Sequence, residues 1–125
     1  GQFHKGGQQN GSFLQITGTP VTDIAIPGQI FGFKTLVAAQ ALGDGKALAS
    51  SIHDNVCLAV NSIKSRGVKP RFPGDRGAEF LHGTHCPSVI CEVGFGSNQK
   101  DWAIMIDKKN EIARAIAHGI MDYLD

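Results

Sequence analysis

The segment between Pro87 and Gly94 restricts the fold of this chain more than any other. It is a nearly continuous run of β-branched and apolar residues, Ser-Val-Ile-Cys-Glu-Val, which is typical of a strand buried on both faces. The only carboxylate in the run is Glu92. A lone ionised carboxylate in an apolar strand costs several kcal/mol unless a cation lies beside it. We therefore expect Glu92 to serve catalysis or metal binding rather than packing.

The residues before this strand indicate two more strands and one long helix. Residues 13–17 and 21–26 have strand patterns separated by a Gly-Thr-Pro turn. Residues 27–45 are ambiguous, because glycines interrupt what could be a short helix over residues 31–41. From Lys46 to Gly67 apolar residues recur at steps of three and four, which predicts an amphipathic helix of about twenty residues.

The second half of the chain adds shorter elements. Residues 78–81 have the pattern of a short edge strand. Ser97 or Asn98 is placed to cap a short helix, and Asp107 is placed to cap the last one. Because strands alternate with helices, the chain favours an open parallel or mixed sheet flanked by helices. The predicted fold class is therefore α/β.

Composition bounds the size and the function of the chain. Its 125 residues, 42% hydrophobic and 18% charged, predict one globular domain over residues 1–125, or part of one, since the chain begins with Gly1 rather than Met. A net charge of +1 argues against a nucleic-acid-binding surface, and no apolar run is long enough to span a membrane. The odd count of three cysteines suggests synthesis in a reducing compartment.

One group of candidate metal ligands lies just before the buried strand. His82, His85 and Cys86 form a His-x-x-His-Cys run, and imidazole with thiolate at this spacing can hold part of a zinc site. A closed zinc site needs four ligands, and no second Cys/His pair is near in the sequence. The alternative is a loop whose histidines line a cleft.

The other three histidines are single candidates. His53 neighbours Ile52 of the apolar helical stripe, so it is predicted to be a surface residue on the flank of that helix. His118 is predicted to be a half-exposed structural residue within the last helix. His4 follows an aromatic residue and precedes a glycine-rich loop, so it is either a ligand at a strand end or part of a disordered terminus.

Several segments resemble the zinc-dependent N-acetylmuramoyl-L-alanine amidases, the peptidoglycan hydrolases of bacteria and their phages. Residues 89–98 are similar to the family's Val-Glu-x-Gly-Phe-x-Ser-Asn segment, and residues 66–69 to its Arg-Gly-Val-Lys. A final helix like residues 111–120 also follows in the family. The resemblance covers about residues 46–124, and its most specific part is 87–98.

The resemblance implies a site as well as a fold. The family holds Zn²⁺ with a His, a Glu and a second His, while a further Glu on a late strand assists catalysis, and Glu92 resembles that late Glu. The order of elements favours His4 over His53 as the second His, although the family's Asn two residues later is Gly6 here. In the family, the first His and the Glu ligand come earlier in the sequence than any segment that this chain matches. The chain therefore resembles the carboxyl-terminal part of the catalytic domain, without the family's amino-terminal strands.

The implied activity is hydrolysis of the amide bond between N-acetylmuramic acid and L-alanine, by zinc-activated water with Glu92 as general acid and base. The implied partner is peptidoglycan, and the implied place of action is the cell wall, in the periplasm or outside the cell. Unpaired cysteines and the lack of a signal segment favour a phage lysin made in the host cytoplasm. Two alternatives remain open: a homologue that binds the wall without turnover, and an unrelated α/β domain with a small metal site at His82, His85 and Cys86.

Overall fold

The computed structural model describes residues 2–4, 13–18, 31–39, 44–83 and 86–125. For the first two of these ranges it gives the backbone and its strand pairing. The strand predicted at residues 21–26 lies outside the described residues.

Five strands and four helices are described, and they alternate for most of the chain. In order they are β1 (Gln2–His4), β2 (Phe13–Gly18), β3 (Phe33–Ala38), α1 (Asp44–Ala59), β4 (Ser65–Arg71), α2 (Ala78–His82), β5 (Ser88–Glu92), α3 (Gln99–Asp107) and α4 (Lys109–Leu124). None of these helices is long and apolar enough to span a lipid bilayer.

The strands form one mixed sheet in the order β1-β2-β5-β3-β4. The pairs β2–β5 and β3–β4 are parallel, whereas β1–β2 and β3–β5 are antiparallel. The central strand β5 is buried along its whole length. The α/β fold class and the burial of the Glu92 strand on both faces are therefore confirmed.

Side chains of β3 and β5 alternate between two cores. Phe33, Val37, Val89 and Cys91 join the larger core under α1 and α4, while Leu36, Ala38 and Ile90 join the smaller core under α2. Helices α1 and α4 approach each other closely at Gly119, where an added Cβ would lie 2.6 Å from the Cα atom of Ile52. Glycine at this position lets the two helices pack against one another.

Several predicted elements differ from the observed ones. Residues 31–41 contain the fully buried strand β3 rather than a short helix, because cross-strand pairing and burial on both faces outweigh the interrupting glycines. The predicted helix from Lys46 to Gly67 ends at Ala59, and its last residues instead form β4, paired with β3. The apolar periodicity continues past Ala59 because Val60 and Ile63 of the turn also pack into the core.

The shorter elements give a mixed result. Residues 78–81 begin helix α2 rather than an edge strand, and the buried pair Ala78 and Leu81 has helical spacing. Asn98 caps α3 as predicted, by accepting a hydrogen bond from the backbone N–H of Asp101 at 3.0 Å. Asp107, however, is the last residue of α3 and not the cap of the final helix.

Candidate functional site

Glu92 is the last residue of β5 and is buried, with 4% of its surface exposed. Alternation along the strand puts its side chain on the same face as Ile90, towards α2. The carboxyl ends of parallel strands are where α/β sheets place ligands, and β5 runs parallel to β2. The structure thus puts a buried carboxylate at the end of a central strand.

Lys34 is the main counter-ion of Glu92. The two residues are directly opposite each other in the β3–β5 register, and Lys34 Nζ lies 3.2 Å from Glu92 Oε2. Both side chains are buried, with 10% and 5% exposed respectively. Oε2 accepts no hydrogen bond within the described part of the chain, so the contact is one between charges and not an aligned hydrogen bond.

Arg76 approaches the same carboxylate from the solvent side. Its Nη2 atom lies 3.7 Å from Glu92 Oε1, and its side chain is 57% exposed. A partly solvated contact of this length contributes much less to stability than the buried one. Among the described residues, Glu92 therefore contacts a buried cation at Oε2 and an exposed cation at Oε1.

Lys34 was not among the predicted site residues, although the sequence contains a signal for it. Lys34 is the only charged residue in the apolar run of β3, Phe33–Ala38, just as Glu92 is the only one in β5. When one apolar strand carries a single positive residue and another a single negative residue, the two can form a buried ion pair if the strands are neighbours in the sheet. Because residues 31–41 were ambiguous, that pairing was not foreseen.

Asp101 fixes the backbone next to Glu92. This carboxylate is 4% exposed, and its Oδ2 atom accepts hydrogen bonds from the backbone N–H groups of Gly32 and Phe95, each at 2.8 Å. An added Cβ at Gly94 would lie 3.0 Å from the same oxygen. The glycine of the Glu-Val-Gly-Phe segment thus allows Asp101 to join the ends of β3 and β5.

The structure does not bring His4 to Glu92. His4 pairs with Phe13, two residues before Gln15, and Gln15 is level with Ser88, four residues before Glu92. The two residues are therefore six positions apart along the strand direction, which corresponds to about 20 Å. A metal bound by His4 would belong to a different site from one beside Glu92.

Of the candidate ligands before β5, the structure describes His82 and Cys86. His82 Nε2 lies 2.9 Å from the carbonyl oxygen of Arg71, and Cys86 is half-buried. His85 lies outside the described residues. In the ranges that the structure describes, no three His, Cys, Asp or Glu side chains are grouped so that they could hold a metal ion. The described residues therefore do not fit the zinc site that the resemblance implies.

His53 is buried, with 5% of its surface exposed, so the prediction of a surface histidine is wrong. Its Nδ1 atom lies 3.0 Å from Thr35 Oγ1, its Nε2 atom lies 2.8 Å from Ser65 Oγ, and its ring stacks on Phe33 with centroids 4.5 Å apart. Burial lowers the pKa of His53, although the charge of Asp54 partly opposes this effect. His53 is buried because β3 and β4, which supply Thr35 and Ser65, cover that flank of α1.

The remaining candidates have structural positions. Cys91 is fully buried in the larger core, where burial raises the pKa of its thiol to about 12, so it is a packing residue. His118 is exposed on α4.

Comparison with protein families gives a match to the N-acetylmuramoyl-L-alanine amidase family over residues 23–122. A comparison with curated protein sequences gives no match. The family match contradicts the alternative of an unrelated α/β domain.

Three solved structures are similar to the fold. One is an N-acetylmuramoyl-L-alanine amidase from Clostridium difficile 630, with a TM-score of 0.78, 20% identity, and coverage of 90% of this chain and 57% of that one. Another is the CwlD amidase from Clostridioides difficile, solved in complex with the GerS lipoprotein, with a TM-score of 0.74, 27% identity, and coverage of 89% and 54%. The third is the catalytic domain of CwlV, an N-acetylmuramoyl-L-alanine amidase from Bacillus (Paenibacillus) polymyxa var. colistinus, with a TM-score of 0.72, 26% identity, and coverage of 90% and 57%. The chain therefore spans little more than half the length of these solved relatives.

Proposed function

Because the chain belongs to the N-acetylmuramoyl-L-alanine amidase family, we propose that residues 1–125 form part of a peptidoglycan amidase domain. Its reaction is hydrolysis of the amide bond between N-acetylmuramic acid and L-alanine, and its place of action is the cell wall. The observation that carries this proposal is the position of Glu92. It is a buried carboxylate at the carboxyl end of a central strand, within the segment that most resembles the family.

In this proposal Glu92 carries the proton of the reaction. It accepts a proton from the water that attacks the amide carbonyl, and it returns that proton to the L-alanine amine as the C–N bond breaks. Lys34 offsets the cost of holding the carboxylate in the apolar interior. Arg76 contacts Oε1 from the solvent side, so displacement of its side chain by substrate would open that oxygen to water.

The described residues supply no metal-binding group, and His4 is about 20 Å from Glu92 along the strand direction. Zinc binding by His4 stays a prediction from the resemblance. It can be checked separately by measuring whether His4→Ala lowers the zinc content of the purified chain.

The substitution Glu92→Gln tests the proposed role of the carboxylate. It keeps the size of the side chain and removes its ability to accept a proton, so hydrolysis should fall by about a hundredfold or more. The measurement is release of new amino termini from purified peptidoglycan, with and without added Zn²⁺. Glu79→Gln, on the exposed face of α2, is the matched control and should keep full activity. Unchanged hydrolysis by folded Glu92→Gln would contradict the proposal.

A second candidate function is binding of peptidoglycan without turnover. It is supported by the Lys34–Glu92 pair, which already supplies Glu92 with a cation, and by the poor fit of the described residues to a metal. It predicts that the chain co-sediments with insoluble peptidoglycan, releases no amino termini and contains less than stoichiometric zinc. Amino-terminal release that depends on Glu92 would exclude it.

A further inference from the structure

A second group of hydrogen-bonded polar residues lies on the opposite face of the sheet from Glu92. Thr35 of β3, His53 of α1 and Ser65 of β4 form a continuous row, in which His53 Nε2 is 2.8 Å from Ser65 Oγ and Nδ1 is 3.0 Å from Thr35 Oγ1. Thr35 and His53 are buried, while Ser65 is exposed at the start of β4. A surface hydroxyl thus contacts a buried imidazole whose other nitrogen faces a third polar group.

The hydrogen-bond pattern suits a hydroxyl that donates to histidine. The backbone N–H of Gly67 donates to Ser65 Oγ at 3.2 Å, so the hydroxyl hydrogen is available to His53 Nε2 or to Cys57, with which Ser65 also hydrogen-bonds. In the arrangement that activates Ser65, the hydrogen is donated to His53. The hydrogen on His53 then lies on Nδ1 and is donated to Thr35 Oγ1. Stacking on Phe33 holds the ring in its plane. This is the relation of nucleophile, base and orienting group that activates a hydroxyl.

The surroundings favour Ser65 over the neighbouring thiol as the nucleophile. Burial lowers the pKa of His53, so its imidazole is neutral and able to accept a proton at neutral pH. Burial raises the pKa of Cys57, an effect that a hydrogen bond with Ser65 partly offsets and Asp54 increases. Cys57 is therefore mainly a thiol, and the thiol is a much weaker nucleophile than the thiolate.

Two cationic side chains flank Ser65 in the sequence. Lys64 Nζ lies 4.3 Å from the centre of the Phe31 ring, and the guanidinium carbon of Arg66 lies 5.2 Å from that of Phe95. These aromatic contacts hold the two cationic side chains in place.

We propose that Ser65, His53 and Thr35 form a second reactive site, which accepts acyl groups from small activated esters and hydrolyses them. Ser65 Oγ attacks the ester carbonyl while its proton passes to His53 Nε2, and the bond to the leaving alcohol breaks as His53 returns that proton to it. Water then attacks the acyl-serine by the same route, which releases the acid and restores Ser65. Thr35 is a positioning residue, since it touches His53 and not the substrate.

The test uses p-nitrophenyl acetate with the purified chain. We expect release of nitrophenol with one acetyl group per chain, located on Ser65 by peptide mass spectrometry. Ser65→Ala should remove this acetylation, and His53→Gln should slow it by about a hundredfold or more. Ser62→Ala removes another exposed serine three residues earlier and should react like the unsubstituted chain. Cys57→Ser should also retain the acetylation of Ser65.

The pH dependence distinguishes catalysis from a structural role of His53. The rate of acetylation should fall only below about pH 6.5, because burial places the pKa of His53 below that ordinary value. Thr35→Val should lower the rate and Thr35→Ser should restore it, which a merely space-filling role would not do. Acetylation of Cys57 or of lysines instead of Ser65, or an equal rate in folded Ser65→Ala, would overturn the proposal. Ser65 is exposed, so folding of that variant can be confirmed by circular dichroism.

Discussion

Strand β3 presents two adjacent polar residues to opposite faces of the sheet, and each face satisfies its residue differently. Lys34 points towards α2 and meets the carboxylate of Glu92, a pair of full charges. Thr35 points towards α1 and meets the imidazole of His53, whose pKa is lowered by burial, so the contact joins neutral groups. Removing one partner of a buried charge pair leaves the other charge uncompensated, which lowers the free energy of unfolding strongly. Removing one partner of a network of neutral groups costs less, because each hydrogen bond contributes less and others remain.

This difference explains why the sequence indicated a functional role for Glu92 but not for His53 and Thr35. A charged residue in an apolar strand signals a large energetic cost, and Glu92 was identified for that reason. A histidine and a threonine carry no such signal, because either can be exposed or buried at modest cost. The less conspicuous face nevertheless contains the more complete arrangement of hydrogen bonds.

The largest expected effect comes from removing the cation of the charged face. Lys34→Met leaves Glu92 buried without its main counter-ion, so the free energy of unfolding should fall by about 3–5 kcal/mol, as measured by urea denaturation. The double substitution Lys34→Met/Glu92→Leu should recover most of the loss, since an apolar pair replaces the charges. Arg76→Ala is the matched control, with an expected loss below about 1 kcal/mol because that side chain is 57% exposed. Equal losses for Lys34→Met and Arg76→Ala would show that the buried pair has no special role.

A smaller effect is expected on the neutral face. His53→Leu leaves the buried hydroxyl of Thr35 without its partner, so the free energy of unfolding should fall by about 1–3 kcal/mol. Adding Thr35→Val should recover part of the lost free energy of unfolding, because both polar groups are then replaced by apolar ones. The same denaturation measurement applies. A loss larger than that of Lys34→Met would reverse the ranking of the two faces.

The smallest effect concerns pH. Because burial lowers the pKa of His53 from its ordinary value of 6.5, the unfolded chain binds this proton more readily than the folded one. The contribution of neutral, buried His53 to the free energy of unfolding is therefore complete above about pH 6.5. It is lost as pH falls from there towards the lowered pKa, by at most about 1.4 kcal/mol per pH unit. Denaturation curves between neutral pH and pH 5 measure this loss. His53→Gln should reduce it, and an unchanged slope would mean that other groups cause it.

Much of the fold was predictable because its signals are local. The buried strand β5, the start of α1, the cap at Asn98 and the apolar stripe of α4 all follow from patterns that a few neighbouring residues contain. Strand β3 was not predictable, since the glycines near it suggest a break and its strand character comes from pairing on both sides. Strand β4 was missed because its neighbours Val60 and Ile63 continue the apolar spacing of the preceding helix.

The sequence by itself determined that Glu92 lies in a buried strand of an α/β domain, because local apolar patterning is enough to specify burial. It also contained the segment that resembles the amidases. Only the tertiary structure decided which side chains surround each polar residue, since Lys34 meets Glu92, and Thr35 and Ser65 meet His53, through contacts between separate elements. Strand register likewise separates His4 from Glu92, because pairing between strands, and not distance along the chain, sets their positions in the sheet.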